Sequence, residues 1–197
     1  MIRRDFIFGA AAFTGLAALA WRHPDWLGLG AGPGPVSAAS NRNEKAGTVT
    51  IVQFDDSGKR IGTVSVSKVV KTDAEWRKQL TANQYDITRL ADTEMAFTGE
   101  GYNRHDPGLY RCVCCSNALY SSETKYDSGT GWPSFWAPIA KENINERADT
   151  SLLMVRTEVT CKLCDAHLGH VFNDGPQPTG LRYCMNAAAM KFIPAKT

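Results

Sequence analysis

No cysteine precedes residue 112 and none follows residue 184, so all six of this 197-residue chain fall in one C-terminal stretch. A disulfide framework spread over the whole chain is thereby excluded. The chain also lacks a charge excess: a formal net charge of +2, with no basic block, argues against a nucleic-acid partner. It lacks amphipathic helices of 10–15 residues alternating with strands, which excludes a parallel α/β architecture. Apart from two short Cys-x-x-Cys segments it has no internal repeat, so solenoids are excluded too. What is there is globular in composition, 43% hydrophobic and 21% charged, in a length suited to one domain and a short extension.

The N-terminus reads as an export signal. Arg3-Arg4 is followed by Asp5-Phe6-Ile7, then by a mostly apolar run from Phe6 to Trp21 and a Gly/Pro/Ala-rich stretch ending Val36-Ser37-Ala38. The adjacent arginines and the phenylalanine behind them resemble a twin-arginine signal. About 16 apolar residues fall short of the roughly 20 that span a bilayer core, so an uncleaved membrane anchor is the less favoured alternative. Cleavage after Ala38 removes three Lys/Arg and two Asp/Glu and leaves a mature charge of +1. The expected setting is periplasmic or otherwise extracytoplasmic, with the membrane met only in transit. Residues 1–38 are read as the signal, 39–46 as a polar linker and 47–197 as the functional domain.

In the domain, β-branched residues recur from Gly47 to Phe54 and from Arg60 to Val70 around Asp55-Asp56-Ser57-Gly58, predicting a β-hairpin. Thr72-x-x-Glu75 and Thr81-x-x-Gln84 each fit a capping box and predict two short helices. Trp76, Leu80, Tyr85 and Ile87 would form their buried faces. Short β-rich runs follow at 117–121, 152–160, 168–173, 181–185 and 189–193, separated by turn residues. The fold expected is mostly β and antiparallel.

Cys112/Cys115 and Cys161/Cys164 are both spaced Cys-x-x-Cys. Two intervening residues let one tight turn aim both thiolates at a single Zn²⁺, and two such turns complete a closed tetrahedral structural site. The competing readings are paired disulfides or a redox-active Cys-x-x-Cys. The 45 residues between the pairs mean that the metal would join distant segments and staple the sheets together. Cys114 is expected to neighbour this site without ligating.

Cys184 then stands alone, with Arg182, Asn186 and two histidines, His167 and His170, in reach if the fold permits. Nearby cationic and donor groups would lower its thiol pKa, and the histidines would donate protons. On residue types alone an inert buried cysteine, with each histidine simply packed and hydrogen-bonded, is the favoured reading.

Four segments weigh against the inert reading: Tyr110-Arg-Cys-Val-Cys-Cys, Lys125-Tyr-Asp-Ser-Gly-Thr-Gly-Trp-Pro-Ser-Phe135, Cys164-Asp-Ala-His-Leu-Gly-His-Val-Phe-Asn-Asp-Gly-Pro176 and Gly180-Leu-Arg-Tyr-Cys-Met-Asn186. In order and spacing they resemble the signatures of B-type methionine sulfoxide reductases, and the resemblance covers about residues 68–193. It implies two antiparallel sheets in a small zinc-stapled barrel-like or tent-like domain with short N-terminal helices. Cys184 would attack the sulfur of methionine-R-sulfoxide in proteins or peptides and become a sulfenic acid. Trp132 would pack on the S-methyl group. His167, His170 and Asn186 would surround the sulfoxide oxygen, with His170 the main proton donor, while Arg182 and Asp174 order that shell. Structural zinc, a thioredoxin-like reductant and a monomeric chain are further implications.

One position departs from the family pattern. Many members carry a recycling cysteine where this chain has Thr130, so a one-cysteine cycle is expected. A zinc-dependent binding or chaperone-like module without catalysis, and a nucleic-acid-binding zinc ribbon, are the readings from other classes.

Overall fold

In a computed structural model of the chain, the described residues are 47–150 and 156–195. The export signal, the linker and the first part of the run at 152–160 lie outside them. Among the described residues no helix is long and apolar enough to cross a membrane.

Strands β1 (Thr48–Phe54) and β2 (Arg60–Ser67) form the expected hairpin. Its turn is held by Asp55, whose Oδ1 accepts from the backbone N–H groups of Ser57 (2.9 Å) and Lys59 (3.0 Å). Helices α1 (Asp73–Gln79) and α2 (Ala82–Leu90) begin where the capping boxes place them, with Thr72 and Thr81 as N-caps. In each box the threonine accepts from the backbone three residues on, and the Glu75 or Gln84 side chain accepts in return from the cap's own N–H. Trp76, Leu80, Tyr85 and Ile87 are all buried.

The remainder is antiparallel sheet. β3 (Gly108–Cys112), β4 (Ala118–Ser121) and β11 (Met190–Pro194) make a three-stranded sheet in the order β11-β3-β4. β5 (Lys125–Tyr126), β6 (Ser134–Phe135), β7 (Ile144–Asp149), β8 (Arg156–Cys161), β9 (His167–Phe172) and β10 (Arg182–Met185) make a six-stranded one in the order β5-β6-β10-β9-β8-β7. The expected pair of sheets is therefore present, with the hairpin as a third. The larger sheet ends on β5 and β7, and among the described residues no closed barrel forms.

An aromatic core joins the two larger sheets. Tyr120 of β4 stacks on Phe135 of β6 at 4.4 Å between ring centroids, and Tyr110 of β3 meets the same ring at 5.0 Å. The hairpin is tied on through fully buried Asn143. Its carboxamide accepts from the Val52 N–H (2.8 Å) and donates to the carbonyls of Val52 (2.9 Å) and Ala118 (2.8 Å). One side chain thus satisfies three backbone groups on two sheets that would otherwise be orphaned.

Candidate metal centre and active site

The two Cys-x-x-Cys turns have the same construction. Each starts at the last residue of a strand, Cys112 of β3 or Cys161 of β8. In each, the N–H four residues on returns to that cysteine's carbonyl, Ser116 to Cys112 and Asp165 to Cys161, both at 2.9 Å. Ser116 (φ 66°) and Asp165 (φ 55°) adopt the left-handed conformation that closes the turn. The four sulfurs of Cys112, Cys115, Cys161 and Cys164 consequently lie within 4.8 Å of one another. Cys112 and Cys164 approach to 3.7 Å and Cys115 and Cys161 to 3.6 Å, and all four thiols are free, so the disulfide reading fails. Four thiolates at 2.3 Å from a tetrahedral Zn²⁺ are about 3.8 Å apart, so the cluster has the dimensions of a metal site.

The helices brace this cluster. Arg89 of α2 donates to the Cys164 carbonyl at 3.0 Å, Gln79 of α1 donates to the Cys114 carbonyl at 2.7 Å, and Asn117 Nδ2 faces Cys161 Sγ at 3.6 Å. Cys114 is buried, and its thiol turns to Thr88 of α2 at 3.4 Å. It neighbours the cluster, as expected.

Cys184 sits at the centre of a row across the large sheet. Tyr126 pairs with Ser134, Ser134 with Cys184, Cys184 with His170, and His170 with Glu158. Directly opposed residues share a face, so five strands deliver these side chains to one surface. Gly169 makes the close approach possible: a Cβ there would collide with the Cys184 carbonyl of the neighbouring strand.

A cleft of about 140 Å³ opens beside the sulfur, lined by Trp132, Arg156, His170, Phe172, Cys184 and Asn186 among others. Four sequence-predicted residues thus meet there: Cys184, His170, Asn186 and Trp132. Trp132 leaves the Gly129-Thr130-Gly131 turn half-buried, and its indole Nε1 donates to the Glu94 carbonyl at 3.0 Å. Gly131 (φ 86°) is required by that turn, since a Cβ would stand 2.7 Å from the Phe97 nitrogen. His170 Nε2 is 2.9 Å from Asp149, which also binds Arg156 at 2.8 Å. Burial holds the His170 pKa below 6.5, outweighing its bond to Asp149.

The other three predicted residues stand apart from the cleft lining. His167 is buried behind His170, with ring centroids 5.4 Å apart. Its Nδ1 meets Glu158 at 2.7 Å, and its Nε2 has no hydrogen-bond partner among the described residues. Arg182 clasps Asp174 through two bonds of 2.8 Å, which hold the exposed Asp174 carboxyl below its usual range, and stacks on Phe172. Arg182 and Asp174 are thus held as an ordered pair.

One expectation is corrected. Cationic and donor neighbours do pull on the Cys184 thiol, namely Thr130, Arg182 and Ser134, but burial outweighs them and the pKa lies above 9.0. Desolvating a thiolate costs more than one partly shared guanidinium returns.

Sequence reasoning also missed Glu94. It is 8% exposed, and its carboxylate accepts from the N–H groups of Ala187 (2.5 Å) and Ala188 (3.0 Å) just beyond β10. Its backbone N–H reaches Asn186 Oδ1 at 3.0 Å while its carbonyl holds Trp132. Two residues that line the cleft, Trp132 and Asn186, and the turn that follows β10 therefore meet on Glu94. No local signal marks it, because its partners are some 40 to 90 residues away.

The chain is similar to known proteins over this region. A model of the SelR domain matches residues 80–194. The peptide methionine sulfoxide reductase MsrB of Hahella chejuensis is 61% identical over 127 residues, 64% of this chain and 91% of its own length. The protein of the same name from Herminiimonas arsenicoxydans is 54% identical over 125 residues, covering 64% and 91%. A chloroplastic relative from Oryza sativa subsp. japonica, peptide methionine sulfoxide reductase B1, is 60% identical over 121 residues, 61% of this chain and 56% of that one.

Proposed function

The chain belongs to the SelR domain family and is an oxidoreductase acting on sulfur groups, and from that premise we propose that Cys184 reduces methionine-R-sulfoxide in peptides and proteins to methionine. The observation that carries this reading is the meeting of Cys184, Trp132, His170 and Asn186 around one small cleft. At about 140 Å³ the cleft suits the tip of a side chain and is well below the size of a drug-like ligand site.

In the proposed reaction the Cys184 sulfur attacks the sulfoxide sulfur while a proton reaches the sulfoxide oxygen. The oxygen passes to Cys184 as a sulfenic acid and methionine leaves; the substrate sulfur gains two electrons and Cys184 loses them. One thiol of a reductant then forms a mixed disulfide with Cys184 and releases water. A second thiol regenerates Cys184 and leaves the reductant oxidised. Trp132, anchored through Glu94, gives the S-methyl group an apolar wall that orients the reacting atoms. His170 is the proton donor, and Asp149, itself bound by Arg156, holds its ring.

With the Cys184 pKa raised and the His170 pKa lowered, thiol and neutral imidazole prevail at neutral pH. That pair holds the same number of protons as thiolate plus imidazolium, so internal transfer from Cys184 to His170 creates the reactive form without exchange with solvent. Below the His170 pKa both groups are protonated, and above the Cys184 pKa neither is. The sulfoxide-reduction step is therefore expected to be flat across neutral pH, with its acid limb displaced below the usual histidine range and its alkaline limb displaced above the usual thiol range.

The experiment is reduction of a racemic methionine sulfoxide peptide with dithiothreitol across this pH range. Consumption of the R epimer alone, with a broad plateau, is expected; consumption of the S epimer, or of neither, refutes the reading.

Zinc fits the four-cysteine cluster as a structural ion, since Cys112, Cys115, Cys161 and Cys164 fill a tetrahedral shell and leave no open position for chemistry. For the physiological role we propose repair of exported proteins by a monomeric chain that a thioredoxin-like partner recycles. Support for export comes from the Arg3-Arg4 signature and the apolar run behind it. N-terminal sequencing of the exported chain is its check: a start at Ala39 is expected, and an intact Met1 end overturns cleavage.

A further inference from the structure

Three hydroxyl groups stand in line behind the reactive sulfur. Thr130 Oγ1 is 3.8 Å from Cys184 Sγ, Ser128 Oγ is 2.8 Å from Thr130 Oγ1, and Ser134 Oγ is 2.7 Å from Ser128 Oγ. At the far end Ser134 Oγ lies 3.2 Å from the Trp132 carbonyl. Ser134 is fully buried and is the cross-strand partner of Cys184, so the line folds back beside the sulfur from which it starts.

We propose that Thr130, Ser128 and Ser134 form a reversible hydroxyl chain that serves the Cys184 sulfur both as thiol and as thiolate without movement of any heavy atom. The proposal rests on Cys184 being the nucleophile.

The argument follows from what a hydroxyl can do: each one donates a single hydrogen and accepts others. While Cys184 is a thiol, its S–H points to Thr130, Thr130 donates to Ser128, Ser128 to Ser134, and Ser134 to the Trp132 carbonyl. Once the proton has left the sulfur, each hydroxyl rotates. Ser134 then donates to Ser128, Ser128 to Thr130, and Thr130 to the thiolate. A row of polarised donors ends on the negative sulfur, and cooperative strengthening along the row favours the charge. The carbonyl that is released belongs to Trp132, which links the state of the chain to the residue that walls the cleft.

This device answers two features of the site. Burial disfavours a thiolate at Cys184, and the charged and titratable groups facing it offer limited help. Arg182 is shared with Asp174, the Nε2 of His170 is taken by Asp149, and the phenol of Tyr126 has no hydrogen-bond partner among the described residues. The second feature is threonine at position 130, which cannot form a disulfide with Cys184. A hydroxyl there keeps a donor on the sulfur throughout the cycle.

The test is the pH dependence of iodoacetamide alkylation at Cys184, read by mass spectrometry of its peptide in the zinc-loaded full-length chain. Thr130→Val keeps the shape and deletes the first hydroxyl; Ser128→Ala deletes the second, which does not touch the sulfur. Both are expected to move the alkylation midpoint up by about one pH unit, a roughly tenfold loss of thiolate at a given pH below it. Thr130→Ser is expected to keep the wild-type midpoint.

A shift in Thr130→Val alone overturns the chain and leaves a single contact; an unchanged midpoint in both overturns it altogether. Should Thr130→Val fail to fold, Ser128→Ala decides by itself. Alkylation needs no sulfoxide reduction, so a protein inactive toward methionine sulfoxide that shows the shifts keeps the chain and loses the functional reading. An active protein without them does the reverse.

Discussion

Cys184→Ser is expected to reduce turnover of methionine-R-sulfoxide to below about one-thousandth of wild type, with fold and metal content unchanged. Serine replaces the sulfur with a smaller oxygen on the same Cβ and adds no bulk, so the strand row from Tyr126 to Glu158 has no reason to shift. The proposed reaction, however, transfers oxygen to a group that must change oxidation state, and an alcohol has no reversible counterpart of the sulfenic acid. Loss of the step is therefore chemical and not steric. The assay is steady-state reduction with dithiothreitol, alongside zinc quantification. A Cys184→Ser protein retaining a tenth or more of its turnover would remove Cys184 from the mechanism and revive a non-catalytic binding role for the domain.

The wild-type protein after one turnover without reductant should carry a sulfenic acid on Cys184, trapped by a dione reagent, and no disulfide to Cys114. Cys114 is buried inside a Cys-x-x-Cys turn against Thr88, and position 130 at the Cys184 sulfur is a threonine. An intramolecular Cys114–Cys184 disulfide would sink the one-cysteine cycle.

Removing the metal is expected to unfold the domain or lower its melting temperature by at least about 10 °C. Structural zinc contributes an apparent 10–16 kcal/mol at Cys-rich sites, on the scale of the roughly 5–15 kcal/mol that keeps a whole domain folded. For a domain of this length a loss of even 5 kcal/mol moves the midpoint by about 10–20 °C. The position of the cluster makes the loss global: Cys112 and Cys115 close the β3–β4 turn of the three-stranded sheet, and Cys161 and Cys164 close the β8–β9 turn of the six-stranded one. Without the ion, three buried thiols and a half-buried one have only each other and a few weak donors. Calorimetry before and after chelation, and of Cys161→Ser, provides the measurement. An apo protein that melts as the holo protein does would remove zinc from the account of stability.

Those outcomes rest on features whose legibility differed. The capping boxes at Thr72 and Thr81, the Asp55–Gly58 turn and the two Cys-x-x-Cys turns were readable because their partners lie within four residues of one another. β5 and β6 were not readable, being two residues each and existing only through pairing with neighbours. β7 reads Ile-Asn-Glu-Arg-Ala-Asp; it is the edge of its sheet with little buried face, so it carries no apolar alternation.

At Cys184 the division is clearest. Spacing left Cys184 outside the two Cys-x-x-Cys pairs, and the family resemblance supplied its proposed substrate class and marked the threonine at 130, since these depend on which side chains the chain contains. Tertiary structure alone decided that its pKa rises, that Glu94 holds the wall of its cleft, and that Ser128 and Ser134 stand behind it. Burial, cross-strand register and the approach of segments up to about 90 residues apart are properties of packing, and no local run of residues encodes them.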